Sequence, residues 1–333
     1  MNALVLTKFK HMEVKNVKKP QINPNEVLIE GKYAGVCGTD KDLFSGRPGS
    51  ADAVPPVVLG HENSGVISQV GSGVKDFKVG DRVTVDPNIY CGKCFYCHIG
   101  KKELCDHLSA IGVNRNGGLE QYFTAPATQV YKIPDNVSLK EAAASEPISC
   151  AVHGANLLKL APYQKALVVG DGFMGQLFVQ ILQAYGVHQV DFAGLINDRL
   201  ALNKEKFHVK NTFNTKYDKI PADYDVVVEA VGLPVTQEIA VNATRKGAQV
   251  LMFGVGQTNQ TFKMNTYKVY QKQLTIQGSF INPDAFEDSL ALLSSKKLNI
   301  LPLISDQPSL DEVPKYLDGT VKNVSKAIVK VEG

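Results

Sequence analysis

The chain has 333 residues, which is more than one hydrophobic core usually covers, so we expect two domains. A net charge of +3, with the basic residues scattered along the chain, argues against a nucleic-acid-binding surface. No stretch approaches the roughly 18 consecutive apolar residues of a membrane span, and the first residues lack the apolar core of a signal peptide, so we expect a cytoplasmic protein without a membrane partner.

The first 140 residues contain short β-rich segments separated by glycine, proline, asparagine and aspartate. The clearest segments are residues 26–30, 65–70 and 81–85. Short strands broken by turn residues predict an antiparallel, barrel-like domain over residues 1–140.

Two short motifs in this first domain carry side chains that can bind a metal. Cys37 lies in the segment Gly-Val-Cys-Gly-Thr-Asp, and His61 lies in Gly-His-Glu-Asn-Ser-Gly. A lone cysteine or histidine usually fills a core. Here both lie in glycine-flanked loops with polar neighbours, so we treat both as candidate site residues.

Four of the six cysteines fall close together, at Cys91, Cys94, Cys97 and Cys105. In a reducing cytoplasm this spacing indicates a metal site rather than disulfides. Four thiolates close a tetrahedral shell around zinc and leave no open position, so we predict a structural zinc. An iron–sulfur cluster or four unused thiols are the alternatives.

From about Ser138 the pattern changes to helices that alternate with short apolar strands. Ser138 and Glu141 predict a capping box at the start of a helix over residues 138–160. The apolar strands are continuous rather than alternating, as in a parallel sheet covered on both faces. We therefore predict a doubly wound, parallel-sheet α/β domain over residues 141–279. Its most apolar strands are predicted at residues 166–169, 226–228 and 250–253.

A glycine turn after the first of these strands has the pattern G-x-G-x-x-G. It contains Gly170, Gly172, Phe173, Met174 and Gly175, and it opens a predicted helix that ends near residue 185. This strand–turn–helix context predicts a dinucleotide site, with the pyrophosphate at the helix N-terminus. A tight turn without a ligand is the alternative.

The next predicted strand, residues 187–193, ends where an acidic residue would bind the ribose 2′-hydroxyl of NAD. Gly194 occupies that position, and Asp198 would serve only if the strand register were off by several residues. Arg199 and Lys204 lie nearby as candidate partners of a 2′-phosphate. The sequence therefore favours NADP over NAD.

Residues 280–333 contain a predicted helix over residues 284–295 and a β-like ending over residues 326–331. We predict that this segment returns to the first domain.

The Cys37–Asp40 motif, the Gly60–Glu62 motif, the four-cysteine lobe and the glycine turn occur in the order seen in the zinc-containing medium-chain alcohol dehydrogenase family. The chain resembles that family over essentially its whole length. The resemblance implies a GroES-like, β-rich catalytic domain followed by a Rossmann domain. It also implies two zinc ions per chain, a small-molecule alcohol substrate and a homodimer or homotetramer.

By position, Cys37 and His61 resemble the catalytic zinc ligands of the family, and Thr39 resembles its proton-relay hydroxyl. A turn threonine that caps its own loop is the alternative for Thr39. Glu146 stands where many members have a third cysteine, and its Glu-Pro context is similar to the polyol, butanediol and threonine dehydrogenase branch. In that branch the glutamate after the histidine, here Glu62, can also ligate zinc, so both glutamates are candidates.

The resemblance therefore implies a zinc-dependent dehydrogenase acting on a small polyol. Sorbitol dehydrogenases carry an Arg-Tyr pair that residues 278–283 lack, which leaves a pentitol, a sugar-alcohol phosphate or a vicinal diol as expected substrates. A threonine or 2,3-butanediol dehydrogenase is a second interpretation. A non-catalytic nucleotide-binding member is a third, which loss of Cys37, His61 or Glu146 would favour.

Overall fold

The computed structural model describes residues 1–331 and divides into two compact units. The first unit contains residues 1–149, 286–295 and the chain from Asn299 onward, and the second contains residues 150–285 and 296–298. No helix of the described chain is long and apolar enough to cross a membrane.

The first unit is built mainly from short antiparallel strands. They are β1 (Asn2–Lys8), β2 (His11–Asn16), β3 (Glu26–Val36), β4 (Val57–Val58), β5 (Glu62–Val70), β6 (Arg82–Val85), β7 (Asn88–Ile89), β8 (Ser109–Ala110), β9 (Tyr122–Pro126) and β10 (Val130–Lys132). The largest sheet runs β10-β6-β5-β3 and ends on a last strand near the C-terminus, while β9 also pairs with β3. Apolar side chains of these strands, including Ile29 and Phe123, form a buried core. The predicted β-rich first domain is therefore confirmed as a fold class.

Short helices α1 (Gly38–Ser45), α2 (Phe95–His98) and α3 (Leu139–Ala142) interrupt these strands. The capping box of Ser138 and Glu141 forms as predicted. The single helix predicted over residues 138–160 is wrong in its continuity, because α3 ends and α4 (Ser145–Asn156) begins separately. Helix α3 packs against β3, β5 and β6, so the first unit extends beyond the predicted boundary at residue 140.

The second unit is a parallel sheet with helices between its strands. Its strands are β11 (Lys165–Val169), β12 (Gln189–Gly194), β13 (Thr212–Asn214), β14 (Tyr224–Glu229), β15 (Thr244–Met252) and β16 (Thr275–Gly278). Its helices are α5 (Phe173–Ala184), α6 (Asn197–Lys206), α7 (Pro234–Asn242) and α8 (Thr266–Lys272). The strand order is β13-β12-β11-β14-β15-β16, with every neighbouring pair parallel.

This sheet forms because its strands are apolar on both faces. Leu167, Val168 and Val169 of β11 have no solvent exposure, and the same holds for Val227 and Val228 of β14. Such continuous burial is what helices on both sides of a parallel sheet provide. The predicted doubly wound fold is confirmed.

The last part of the chain returns to the first unit. It contributes α9 (Phe286–Ser294), α10 (Val313–Leu317) and β17 (Ala327–Lys330). Strand β17 pairs antiparallel with β3, with Ala327 opposite Val36. This pairing places Lys326, the residue before β17, beside the end of β3.

Candidate metal centres and cofactor-binding turn

The register of β3 and β5 brings the first candidate metal site together. Gly35 of β3 lies opposite Glu62, the first residue of β5. Because the strands are antiparallel, Cys37 just after β3 and His61 just before β5 emerge at the same edge. Ligand atoms of Cys37, His61 and Glu62 all lie within 4.8 Å of one another.

The cluster is buried and tightly connected. Cys37 Sγ lies 3.1 Å from His61 Nε2, and the His61 side chain is 7% exposed. Asp40 lies behind the histidine, with Oδ1 at 3.4 Å from His61 Nδ1. The other carboxylate oxygen of Asp40 accepts the backbone N–H of Cys37 at 3.0 Å. The motif Cys-Gly-Thr-Asp thus supplies both a thiol and the carboxylate that orients the imidazole.

The electrostatics of this cluster favour positive charge. Burial alone would lower the pKa of His61, but the Cys37 thiolate and the Asp40 carboxylate outweigh it and raise the pKa well above its usual value. A site that holds a proton on a buried imidazole also stabilises a metal cation in its place.

Glu62 pairs with a lysine that the sequence analysis did not identify as a site residue. Lys326 Nζ forms an ion pair with Glu62 Oε2, and both side chains are almost fully buried. Burial opposes the lysine charge, but Glu62 and Cys37 outweigh it and raise the pKa of Lys326. Lys326 Nζ also donates to the carbonyl of Val36 at 3.3 Å. The available signal was a lysine directly before the apolar residues of the final strand.

The donor atoms of this cluster fit a zinc ion. Glu62 Oε1 is buried and has no hydrogen-bond partner within residues 1–331. An unpartnered carboxylate oxygen beside a thiol and an imidazole gives the mixed sulfur, nitrogen and oxygen set of a catalytic zinc site. A Cβ on Gly35 would lie 1.7 Å from Glu62 Oε2, so glycine is needed there to admit the carboxylate.

The two other predicted site residues lie in the same unit. Thr39 is on the first turn of α1 and is partly exposed. Glu146 is on the first turn of α4 and is 8% exposed. Glu146 is not among the three residues whose ligand atoms lie within 4.8 Å of one another. The structure therefore clusters Glu62, rather than Glu146, directly with Cys37 and His61.

The four cysteines of the lobe form a second, closed cluster. The Sγ–Sγ distances are 3.5 Å for Cys94–Cys97, 3.9 Å for Cys94–Cys105 and 4.0 Å for Cys91–Cys97. All are far longer than a disulfide bond of about 2.05 Å. They match the edges of roughly 3.8 Å expected for a sulfur tetrahedron around zinc with Zn–S bonds near 2.3 Å.

Backbone groups prepare these thiols for metal binding. The N–H groups of Cys91 and His107 both donate to Cys105 Sγ at 3.4 Å. The pKa of Cys94 is lowered to about 6, chiefly because the backbone N–H of Cys97 donates to it. Burial and the neighbouring thiols raise the pKa of Cys97 to about 12. Because the four thiols are so close together, negative charge on one thiolate disfavours ionisation of the others. A bound cation would compensate this negative charge.

The glycine turn joins β11 to α5, as predicted. A Cβ on Gly175 would lie 1.8 Å from the carbonyl oxygen of Gly170, so this glycine is required for close packing of the turn. A Cβ on Gly172, by contrast, would meet no described atom within 4 Å. Packing therefore does not demand glycine at position 172, whereas the approach of a pyrophosphate to the backbone does. Of the other residues of the turn, Phe173 is buried and Met174 is partly exposed.

The end of β12 differs from the sequence-based expectation. Gly194 is its last residue, one position beyond the predicted end of the strand at residue 193. A carboxylate nevertheless lies there, because Asp171 of the glycine turn accepts the N–H groups of Leu195 and Ile196 at 2.7 and 2.6 Å. Arg199 Nη1 lies 3.7 Å from Asp171 Oδ1. Asp171 was not among the predicted site residues, although an acid inside the turn was a visible signal.

Two family models match the chain. The model described as "Alcohol dehydrogenase GroES-like domain" matches residues 23–135. The model described as "Zinc-binding dehydrogenase" matches residues 174–295.

Individual proteins are similar to the chain over nearly its whole length. D-arabinitol dehydrogenase 1 of Uromyces fabae is 31% identical, over 99% of this chain and 96% of its own length. L-threonine 3-dehydrogenase of Pseudoalteromonas atlantica is also 31% identical, over 90% of each chain. A zinc-binding dehydrogenase of Sinorhizobium meliloti 1021, solved with bound NADP, superimposes with a TM-score of 0.94 at 29% identity, covering 99% of this chain and 98% of its own.

Proposed function

The chain belongs to the zinc-containing medium-chain alcohol dehydrogenase family, and from that premise we propose that it oxidises a secondary hydroxyl of a small polyol and passes the hydride to NAD(P). The observation that carries this proposal is the cluster of Cys37, His61 and Glu62, in which a carboxylate joins a thiol and an imidazole. A carboxylate makes a zinc site harder than a second thiolate would. Such a site suits a sugar alcohol or its phosphate, which can chelate through two neighbouring oxygens.

Cys37 Sγ and His61 Nε2 are proposed to hold the catalytic zinc. When bound, the zinc would act as a Lewis acid that lowers the pKa of the substrate hydroxyl. Asp40 orients the imidazole through its contact of 3.4 Å with Nδ1, which would leave Nε2 for a bound zinc. Thr39, two residues after Cys37, is proposed to accept the substrate proton and pass it toward solvent.

Both candidate glutamates are kept in the proposal. Glu62 lies in the cluster but shares its carboxylate with Lys326. Glu146 lies outside the cluster at the buried start of α4. Ligation by Glu62 would have to compete with its ion pair, so Glu146 is kept as a residue that would bind the zinc or its water.

The four lobe cysteines are proposed to hold a second, structural zinc, which gives two zinc ions per chain. None of the six cysteines of the described chain forms a disulfide, and the cytoplasmic location stays a prediction. The homodimer or homotetramer implied by the family stays a prediction.

For the cofactor, the glycine turn supports a dinucleotide in general. The NADP of the Sinorhizobium meliloti protein supports the use of NADP, which was also predicted from Gly194. The negative charge of the Asp171 carboxylate at the end of β12 favours NAD instead.

A threonine or 2,3-butanediol dehydrogenase is the second candidate function. The identity of 31% to an L-threonine 3-dehydrogenase equals that to the arabinitol enzyme. The similarity to the arabinitol enzyme covers 99% of this chain and that to the threonine enzyme covers 90%, which favours a polyol as the substrate. A non-catalytic member is disfavoured because Cys37, His61 and Glu146 are all retained.

The test is the rate of NADH and NADPH formation on a panel of pentitols, hexitols, their phosphates, 2,3-butanediol and threonine, with zinc counted in the same preparation. We expect turnover of a polyol by protein that holds two zinc ions per chain. Turnover of threonine or butanediol alone would replace the polyol, and silence across the panel would contradict both candidates.

A further inference from the structure

We propose that Asp171 makes the cofactor site select NAD over NADP by placing a negative charge at the end of β12. The inference rests on the proposed dehydrogenase function and concerns only which nicotinamide cofactor the protein takes.

The location of the charge follows from the sheet. Strands β11 and β12 are parallel neighbours, with Val169 opposite Ala193. The turn that leaves β11 therefore lies beside the end of β12, and Gly170 N–H donates to the Ala193 carbonyl at 2.8 Å. Asp171, the next residue, projects its carboxylate onto the segment where a Rossmann fold distinguishes a ribose hydroxyl from a phosphate.

Gly194 and Asp171 occupy the same space. A Cβ on Gly194 would lie 2.4 Å from Asp171 Cβ and 2.6 Å from its Cγ. Only a residue without a side chain at 194 leaves room for the aspartate. The missing acid at the end of the strand is thus matched by an acid supplied from the glycine turn, and the lack of one at position 194 is no ground for NADP.

The groups that would hold a 2′-phosphate are already engaged. Backbone N–H groups and an arginine are the usual partners of that phosphate. Here the N–H groups of Leu195 and Ile196 donate to Asp171 Oδ2. Arg199 faces the same carboxylate at 3.7 Å, and each of these two side chains is only 14% exposed.

The negative charge of Asp171 disfavours binding of the 2′-phosphate of NADP. A phosphate carries about −1.5 to −2 at neutral pH. To bind beside Asp171 it would meet a like charge and would have to displace the carboxylate from its donors. NAD presents a neutral hydroxyl there, which can donate a hydrogen bond to the carboxylate.

The experiment measures binding of NADH and NADPH to the zinc-loaded, full-length protein by the change in cofactor fluorescence. The chain contains no tryptophan, so the cofactor is excited without a competing indole signal. We expect NADH to bind at least roughly tenfold more tightly than NADPH, a difference of about 1.4 kcal/mol. Competition by 5′-AMP and by 2′,5′-ADP isolates the contribution of the 2′-phosphate.

Asp171→Asn is the informative variant, because its amide oxygen can still accept from Leu195 and Ile196 while the charge is gone. The ratio of the NADPH to NADH dissociation constants should fall by roughly tenfold. Glu205→Gln removes an exposed acid near the other end of α6 and should leave the ratio unchanged.

A double variant guards against a merely structural effect. Asp171→Gly combined with Gly194→Asp moves the acid to the strand and should keep the preference for NADH. Tighter binding of NADPH by the unaltered protein, or an unchanged ratio in Asp171→Asn, would overturn the inference while leaving the dehydrogenase intact. Failure to bind either cofactor would remove the proposed function together with the inference.

Discussion

Glu120 carries a carboxyl group that is 3% exposed, in a segment bridged to Ala3 of β1. Burial raises its pKa to about 8, against roughly 4.3 for a glutamate in an unfolded chain. Between these values the folded protein keeps a proton that the unfolded chain releases. The stability contributed by the neutral carboxyl is therefore fully present below pH ~4.3 and is lost as the pH rises toward about 8.

Glu120→Gln should remove this pH dependence, because the amide has a similar shape and never ionises. At pH 8.5 we expect the variant to exceed the unaltered protein in stability by roughly 2–5 kcal/mol, and the difference should shrink toward pH 5. Urea unfolding at a series of pH values measures this. Glu287→Gln, on the exposed side of α9, is the matched control. Parallel stability profiles for Glu120→Gln and the unaltered protein would contradict the prediction.

Residues inside local motifs were predictable from sequence, whereas residues that act across the fold were not. Cys37 and His61 could be recognised because their own loops contain the glycines and polar neighbours of the site. Lys326 lies 264 positions after Glu62, and only the pairing of β17 with β3 brings the two together. Asp171 could be seen in the sequence, but its reach to the end of β12 depends on the strand register.

At the scale of elements, the two candidate metal centres are built in different ways. The cluster of Cys37, His61 and Glu62 lies at the edge formed by β3, β5 and β17 of a six-stranded sheet, so strand pairing holds its side chains together. The lobe is supported by α2, a short 3₁₀ helix at Lys102–Leu104 and the two-stranded pair β7–β8, and its side chains Phe95 and Ile99 are exposed. Its folding should therefore depend on the ion.

Removing one cysteine from each centre should separate the two roles. Cys97→Ser should lose one zinc per chain and lower the melting temperature by roughly 5 °C or more, because the lobe has little core of its own. Cys37→Ser should also lose one zinc and should abolish turnover, with a smaller change in melting temperature. Zinc analysis, thermal unfolding and the activity assay on both variants check this.

Two outcomes would contradict these expectations. If Cys37→Ser kept its activity, Cys37 would no longer be a candidate catalytic ligand. If Cys97→Ser melted like the unaltered protein with a full zinc count, the lobe would not be a structural zinc site.

At the scale of the whole molecule, the two units use the chain differently. The second unit takes nearly all its residues from one continuous stretch, 150–285, which contains every strand of the parallel sheet. The first unit joins separate stretches, because β17 and α9 come from the end of the chain. A continuous unit with its own core can fold alone, whereas a unit that lacks one strand of its main sheet exposes an apolar edge.

A fragment of residues 145–285, which keeps α4 whole, should therefore fold and bind NADH. Circular dichroism and dispersed amide resonances would report the fold, and cofactor fluorescence would report binding. The matched control is Gly172→Val in the same fragment. A Cβ there would meet no described atom within 4 Å, so we expect the fold to persist, whereas the valine occupies the space that the pyrophosphate needs. An unfolded 145–285 fragment, or undiminished binding by its Gly172→Val variant, would contradict the assignment of cofactor binding to this unit and its glycine turn.

A fragment of residues 1–149 lacks β17 and Lys326 and should remain largely unfolded. In this fragment β3 loses its pairing with β17, and Glu62 loses its buried ion-pair partner.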